Sequence, residues 1–394
     1  MKYFLQEIDA DGLSIPESAQ VFARGENLMV GIGEKARFEA TGNARFEDLA
    51  GQFANFTTEI EIIGEIDSSA SSVIAFSAIS FSPDSLVKSV LIVPEAVLVI
   101  RNETAWIASF TENFKWPTTT QSKPQKLNFR QGEQSQSGFL ESVEKALDYI
   151  DSGELSKVVL ARDLVAEKPA GFDIRDGLQR LRNRFPTCWV YSIDGHFGAS
   201  PELLLRSANR EFSARVLAGT AGRGTDPDVD RAIADGLSHS SKNLHEHNFA
   251  VDSITRAIEP FVESIEADQT PFSLQLPDVW HLATDIHAKL NNDASILGVA
   301  SAIHPTAAVA GTPRLQAQNL ISKLEPFDRG VYAGPVGWVG SNGSGELAIA
   351  LRGGRIEADQ IRAFAGCGIV SGSDPEAELS ETKLKFKAVR SAFD

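Results

Sequence analysis

The C-terminal quarter of the chain carries five short motifs dense in glycine and proline. Because these residues indicate backbone that turns sharply or lies close to another group, this quarter constrains the fold more than any other part. Carboxylates and cations stand between the turns, as in a site for a polar ligand. The motifs are His304-Pro-Thr306, Gly311-Thr-Pro-Arg314, Phe327–Pro335, Ala365-Gly-Cys-Gly-Ile-Val370 and Glu378-Leu-Ser-Glu-Thr382.

Helical and strand patterns are mixed along the chain without strict βαβ alternation. This mixture favours an α+β fold over a doubly wound sheet. Amphipathic spacing and helix stop signals predict helices over Ser137–Ser152, Asn243–Glu259 and Pro375–Phe393. Predicted strands are Lys157–Arg162, Glu202–Arg206 and Trp280–Leu290, with a hairpin of Glu346–Leu351 and Arg355–Ala363 around Gly353-Gly354.

Composition excludes several classes of function. A formal charge of −16 argues against a nucleic-acid surface or an anionic membrane, since both require a basic face. The only cysteines, Cys188 and Cys367, stand far apart, so no disulfide framework is expected. The first residues lack the apolar core of a signal peptide, and no apolar run is long enough for a membrane helix. We therefore expect a cytoplasmic protein.

Three charged residues share one face of the predicted last helix, because Glu378, Glu381 and Lys385 stand at i, i+3 and i+7. Such spacing is usually a solvated, salt-bridged surface. Gly366 and Gly368 just before this helix favour a site instead, since their amides can approach a carboxylate closely.

His245-Glu246-His247 resembles a metal cluster by composition, but successive helical residues point about 100° apart. At most one of the three therefore faces a site, and a polar helix surface is the simpler interpretation. If one is a ligand, Glu246 suits Mg²⁺, which prefers carboxylate oxygens. Together with Glu381 it would form a sparse two-carboxylate site.

Lys157 and Glu202 stand beside apolar strands. A strand-edge lysine and a solvated carboxylate are the simpler interpretations. A partly buried lysine can instead act as a general base, and a desolvated glutamic acid as a general acid. Arg352 is either a carboxylate clamp or an ordinary strand-end arginine. The glycines from Gly219 to Gly224 fit no nucleotide-binding motif.

Together the motifs resemble the chorismate-utilising enzymes across residues 135–394, and residues 1–134 match as a variable N-terminal part of the same fold. The resemblance implies one α+β domain, in which two antiparallel sheets flanked by helices enclose the site. It also implies chorismate as substrate, Mg²⁺ as cofactor and an isomerase reaction that forms isochorismate.

The resemblance assigns roles to individual residues. Lys157 corresponds to the base that activates water at C2 of chorismate, and Glu202 to the acid that protonates the departing C4 hydroxyl. Glu246 and Glu381 correspond to Mg²⁺ ligands, with Glu378 assisting. The positions expected around the substrate are Gly219, Thr220, His281, Ala308, Tyr332, Arg352, Gly366, Gly368 and Lys385.

A few positions discriminate within the family. Anthranilate synthases have glutamine in place of Lys157, so water is the expected nucleophile and no glutaminase subunit is expected. Ala218 replaces the nucleophilic lysine of aminodeoxychorismate synthases, and Ala308 replaces a threonine of salicylate synthases. Asn243 stands where relatives have an acidic residue. The loss of that charge is expected to weaken metal binding.

Three functions remain open at this stage. The leading expectation is a monomeric isochorismate synthase, which serves either menaquinone or catechol siderophore synthesis. The alternatives are a salicylate synthase, which eliminates pyruvate in a second step, and a catalytically silent chorismate-binding protein.

Overall fold

The computed structural model describes residues 1–9, 12–101, 104–120, 122–268, 270–276, 279–292 and 294–394, without the side chains of residues 242 and 246. The described strands are β1 Lys2–Glu7, β2 Gln20–Arg24, β3 Asn27–Ile32, β4 Ala36–Ala40, β5 Glu61–Ile63, β6 Ile74–Ala78, β7 Ser89–Val93, β8 Ala96–Arg101, β9 Thr104–Ser109, β10 Arg130–Gln131, β11 Lys157–Glu167, β12 Trp189–Ile193, β13 His196–Ser200, β14 Leu203–Ala208, β15 Glu211–Gly222, β16 Val262–Ala267, β17 Phe272–Gln275, β18 Val279–Leu290, β19 Gly311–Thr312, β20 Pro335–Gly340, β21 Gly345–Ile349, β22 Gly353–Ile356 and β23 Gln360–Val370. The described helices are α1 Arg45–Thr57, α2 Gln136–Asp151, α3 Arg175–Arg184, α4 Pro227–His239, α5 Ser241–Ile258, α6 Ile296–Ile303, α7 Arg314–Leu324 and α8 Pro375–Arg390.

The strands form two large sheets. The first has the order β10-β11-β23-β22-β13-β12-β2-β3-β8-β9-β1-β5, with β19 paired to β11. The second has the order β16-β18-β15-β14-β21-β20-β6-β7-β4, with β17 paired to β18. Neighbouring strands are antiparallel except β1 and β5, which run parallel. The predicted α+β fold with two antiparallel sheets is confirmed.

Strands from the N-terminal part enter both sheets. In the first sheet β2 pairs with β12, and in the second β6 pairs with β20. Residues on both sides of position 134 therefore share the same two sheets. The boundary between a variable part and a catalytic part at this position stays a prediction.

Buried apolar side chains form two core clusters. One cluster joins residues of both sheets, among them Met29, Val97, Phe76 and Trp338, and fills the space between them. A second cluster covers the outer face of the first sheet under α3 and α8. Burial of these surfaces is the main favourable contribution to folding. Among the described residues, no helix has both the length and the apolar character needed to cross a bilayer.

Predicted helices and strands agree best with the structure where buried apolar residues form a continuous stripe along the element. Helix α2 buries Phe139, Val143 and Ile150 at helical spacing, and Ser135 caps it by accepting a hydrogen bond from the Gly138 amide at 3.0 Å. The predicted strand at Lys157 extends to Glu167, because β23 pairs with it along its whole length.

The predicted hairpin around Gly353-Gly354 is wrong. β21 lies in the second sheet and β22 in the first, so they do not pair. Gly353 and Gly354 lie inside β22, where an added Cβ would approach the Phe197 carbonyl to 1.9 Å and the Arg362 carbonyl to 2.2 Å. These glycines permit close strand contact and do not form a turn.

Candidate active site

One cavity of about 230 Å³ brings together most of the residues singled out in the sequence. It lies where the start of β11 and the end of β23 meet α8, β15, β18 and the loops after β13 and β21. Every predicted site residue whose side chain the structure describes lines it. These are Lys157, Glu202, Gly219, Thr220, His281, Ala308, Tyr332, Arg352, Gly366, Gly368, Glu378, Glu381 and Lys385.

Lys157 begins β11 and is 9% exposed. Its backbone pairs with Thr312 on one side and Val370 on the other, so this strand end is fixed from both sides. The simple interpretation of a strand-edge lysine that reaches solvent therefore does not apply. A buried amine in a polar cavity is suited to moving a proton.

Glu202 lies between β13 and β14 and is 5% exposed. The predicted strand Glu202–Arg206 begins one residue later, at Leu203, and this leaves the carboxyl at the mouth of the strand. Burial raises the pKa of Glu202 to about 8, against the opposing attraction of Lys157, Lys385 and Arg352. The expected desolvated carboxyl is confirmed, and it is mostly protonated at neutral pH.

Arg352, His281 and Thr220 form a chain along the wall. Arg352 Nη2 lies 3.3 Å from His281 Nε2, and His281 Nδ1 lies 3.0 Å from Thr220 Oγ1. Burial, together with the charges of Arg352 and Lys385, holds the pKa of His281 well below its usual value. Because guanidinium only donates, Nε2 accepts from Arg352 and Nδ1 carries the proton, beside the Thr220 hydroxyl and the Gly219 carbonyl. The neutral imidazole of His281 thereby orients the guanidinium of Arg352.

Glycines make room along two walls. Gly219 has a φ of +85°, a conformation that L side chains rarely adopt. A Cβ at Gly366 would meet the Leu160 carbonyl at 2.8 Å and the Tyr332 hydroxyl at 3.2 Å. Tyr332 itself stacks on Phe364 with ring centroids 5.0 Å apart. Backbone on these walls can approach a bound ligand closely.

Two carboxylates from α8 face the cavity. Glu381 forms an ion pair with Lys385 at 2.6 Å, and the same ammonium donates to the Gly366 carbonyl at 2.8 Å. Burial opposes ionisation of Glu381, but attraction by Lys385 and its hydrogen bond lower the pKa overall. Burial and the nearby charge of Glu381 raise the pKa of Glu378. A cation here would relieve that repulsion, so this carboxylate pair fits a divalent metal.

The structure describes only part of the predicted metal site. The side chain of Glu246 lies outside the described residues. In the described part of the chain there is no group of three or more His, Cys, Asp or Glu side chains placed to hold a metal. Asn243, on the same helix as Glu246, lines the cavity.

The two histidines beside Glu246 have other surroundings. The ring of His245 packs against Phe249, with centroids 4.7 Å apart. His247 is fully buried, with Nδ1 3.1 Å from the Ala218 carbonyl and Nε2 2.8 Å from the Thr284 hydroxyl. His247 therefore joins α5 to β15 and β18.

Sequence reasoning missed Arg329 as a cavity residue. It lies in the Phe327–Pro335 motif and lines the wall. Its guanidinium pairs with Glu325, donates to the Val159 carbonyl at 2.8 Å and to the Val309 carbonyl at 3.1 Å, and Glu325 accepts from the Ala161 amide at 2.7 Å. This buried pair joins β11 to the loop that carries Tyr332. The Asp-Arg-Gly sequence inside the motif was the available signal.

Comparisons with known proteins agree with this geometry. The family model described as chorismate binding enzyme matches residues 102–394. The isochorismate synthase MenF of Bacillus subtilis (strain 168) is 31% identical over 93% of this chain and 86% of its own length. The isochorismate synthase EntC of Escherichia coli (strain K12) is 34% identical over 69% of this chain and 71% of its own length.

A solved structure supports the same fold. The structure of MenF, the menaquinone-specific isochorismate synthase from Escherichia coli, covers 100% of this chain and 95% of its own, with a TM-score of 0.83 and 24% identity. The expected resemblance is thus confirmed in sequence and in fold, and the chain belongs to the chorismate-binding enzymes.

Proposed function

We propose that this protein is an isochorismate synthase, which converts chorismate to isochorismate reversibly. One observation supports this most strongly: a buried lysine, Lys157, and a glutamic acid that stays protonated near neutral pH, Glu202, line one small cavity. A base and an acid are the two groups that exchange of one hydroxyl for another requires. The relatives named isochorismate synthase, at 31% and 34% identity, support the same reaction.

In the forward reaction Lys157 takes a proton from water as the water oxygen attacks C2 of chorismate. The two ring double bonds shift, the C4–oxygen bond breaks, and Glu202 gives its proton to the departing hydroxyl. One water is added and one leaves, so the reaction is an isomerisation. In reverse the two residues exchange roles.

Chorismate carries two carboxylates. Besides Lys157 and Arg329, which pairs with Glu325, the described cavity lining holds the cations Arg352 and Lys385. Arg352, oriented by neutral His281, is the proposed clamp for one carboxylate, since a guanidinium binds carboxylate with two parallel hydrogen bonds. The amides near Gly366 and Gly368 and the ammonium of Lys385 are proposed to bind near the other. Thr220, Tyr332, Gly219 and Ala308 are proposed to border the ring.

The proposal includes Mg²⁺, held by Glu381 and Glu246 with Glu378 assisting. The paired carboxylates of α8 support this site, because the charge of Glu381 raises the pKa of Glu378 and a bound cation would relieve that repulsion. When bound, the ion supplies positive charge that neutralises a substrate carboxylate. Asn243, which lacks the acid of relatives, is expected to make this ion bind more weakly.

We further propose a cytoplasmic monomer that acts without a glutaminase subunit. Cys188 and Cys367 are free and buried, which suits a reducing compartment. Lys157 in place of glutamine is what favours water over ammonia as nucleophile.

The test is to incubate the purified protein with chorismate and Mg²⁺ and to identify products by NMR and salicylate fluorescence. Isochorismate is expected at equilibrium with chorismate, without salicylate, pyruvate or any ammonia-dependent product. Formation of salicylate with equimolar pyruvate would instead show that the protein is a salicylate synthase. The alanine at position 308 argues against that outcome. Tight chorismate binding with no turnover would make it a silent binding protein.

A further inference from the structure

A second cleft, of about 510 Å³, lies on the side of α8 away from the active site and shares no lining residue with it. Its walls hold four cations, two amides and three apolar side chains, and no carboxylate is among these lining residues. This is unusual on a chain with a net charge of −16. The lining residues are Phe129, Arg130, Gln131, Gln136, Arg162, Leu164, Lys383, Phe386 and Arg390.

The geometry of α8 separates the two sites. Lys383, Phe386 and Arg390 stand at i, i+3 and i+7 and form one face, as Glu378, Glu381 and Lys385 form another. The two sets are offset by five residues, which turns the second face by about 140° around the helix. The helix therefore presents an acidic face with one lysine to the active site and a basic, aromatic face to the cleft.

Arg162 is the central group of the cleft. It is 3% exposed, and its Nε and Nη1 are fully buried without a hydrogen-bond partner among the described residues. Its Cζ lies 5.3 Å from the centroid of the Phe386 ring. A buried guanidinium without an anion is costly, because it gives up its hydration and receives only the ring face in return.

The nearest carboxylate is already bound elsewhere. Asp163 follows Arg162 in β11 and points to the opposite face of the strand. There it accepts hydrogen bonds from Arg362 and from the amides of Glu133 and Gln134. It offers attraction to Arg162 at a distance but no hydrogen bond.

The remaining cations widen the positive field. Arg130, Lys383 and Arg390 are exposed, and in the described part of the chain none of the three forms an ion pair. Leu164 and Phe386 provide a buried apolar wall beside them. A purely inorganic ion would leave this wall in contact with water, so an anion with a flat apolar part fits better.

We propose that this cleft binds a small organic anion whose carboxylate or phosphate oxygens accept hydrogen bonds from Arg162 and whose apolar part packs against Phe386 and Leu164. Arg130, Lys383 and Arg390 then attract the ligand at the rim. The proposal does not depend on the reaction at the active site.

Isothermal titration at low ionic strength with benzoate and with phenyl phosphate tests the proposal and distinguishes the two anionic groups. At least one of them is expected to bind with one-to-one stoichiometry, more tightly than inorganic phosphate, while neutral benzamide does not bind. The double variant Lys383→Gln/Arg390→Gln is expected to weaken binding roughly fivefold, as expected for two exposed charges. Lys387→Gln is the matched control, since Lys387 is exposed on α8 but lies outside the cleft.

Arg162→Met removes the central charge at similar volume and is expected to weaken binding by about tenfold or more. Circular dichroism and chorismate turnover report whether each variant is folded, and the double variant decides the outcome if Arg162→Met does not fold. No saturable binding of either anion, equal binding of benzamide, or unchanged binding in the double variant would each overturn the proposal. Binding that persists in Arg162→Met but is lost in Arg352→Ala, which changes the active-site cavity, would place the anion in that cavity and overturn the proposal as well.

Discussion

At the scale of single residues, the site combines two protonic groups that their surroundings perturb in different ways. Glu202 is buried among apolar and cationic neighbours, and burial dominates over the cations. Glu381 is partly buried, and desolvation is the largest single effect on its pKa, but the combined attraction of Lys385, Arg352 and Lys157 outweighs it and lowers the pKa. Two glutamates in one cavity therefore carry different charges at neutral pH, which separates a proton donor from a metal ligand.

Lys157→Ala is expected to reduce turnover by roughly 10²–10⁴-fold, the contribution typical of a general base. The fold should persist, because the change leaves the strand backbone and its pairs in place. Steady-state kinetics with circular dichroism checks this, and Lys145→Ala, exposed on α2, is the control. A variant that keeps near wild-type kcat would show that Lys157 is only structural.

The forward rate is expected to fall as pH rises through about 8, since Glu202 must hold its proton to donate it. Glu202→Gln should bind chorismate with similar affinity and lose kcat, because the amide keeps the shape without an acidic proton. A pH–rate profile of kcat and a binding titration check both points. Wild-type interconversion rates in this variant would place the acid elsewhere.

At the scale of elements, α8 links chemistry and architecture. Its Asp374 cap accepts from the Ala377 amide at 2.8 Å, and its buried side packs on β23. The helix thereby holds Glu378, Glu381 and Lys385 toward the cavity at fixed spacing. The predicted start at Pro375 agrees with the structure, and the helix ends at Arg390, three residues before the predicted Phe393.

Glu381→Gln and Glu246→Gln are each expected to raise the Mg²⁺ concentration needed for half-maximal activity steeply, because each removes one formal charge from the ion's site. Glu378→Gln should have a smaller effect. Glu376→Gln, exposed in the first turn of α8, is the matched control. Magnesium titrations of activity that superimpose for wild type and both main variants would contradict the metal assignment.

His247→Ala is expected to leave the Mg²⁺ requirement unchanged but to destabilise the fold by about 1–3 kcal/mol, the cost of leaving buried polar partners without a hydrogen bond. Its ring joins α5 to two strands, whereas His245 packs on the half-exposed Phe249. Denaturant unfolding compares the two alanine variants. Equal stability of both would show that the His247 contacts contribute little.

At the scale of the whole molecule, the fold class could be predicted from the mixture of helix and strand patterns. Most of the cavity residues could be predicted only because the motifs resemble those of the chorismate-utilising enzymes. The contacts of Gly353 and Gly354 could not, since close approach of strands from distant parts of the chain leaves no periodic trace. Arg329 was overlooked for a related reason: its partner Glu325 is near in sequence, but the carbonyls it binds are not. The role of Glu246 as a metal ligand remains a prediction, because its side chain lies outside the described residues.

Stability of the whole protein is expected to fall as pH rises from about 4.5 to about 8 through Glu202. The sign follows because the carboxyl loses its proton in the unfolded chain well before it does in the folded one. Each unit of such a shift corresponds to about 1.4 kcal/mol, so the full shift corresponds to about 5 kcal/mol at most. The Glu202→Gln variant should lack this decline, so its melting temperature should rise relative to that of the wild type as the pH rises. Parallel curves of melting temperature against pH for the two proteins would contradict the buried acid.

The interleaving of the N-terminal strands has a consequence for how the protein can be divided. A fragment that starts at residue 135 would lose β2 from beside β12 and β6 from beside β20. Each loss bares a row of backbone amides and carbonyls in the middle of a former sheet, which is a template for self-association. Residues 1–134 therefore cannot be deleted or exchanged as a module unless the replacement supplies the same hydrogen-bonding edges.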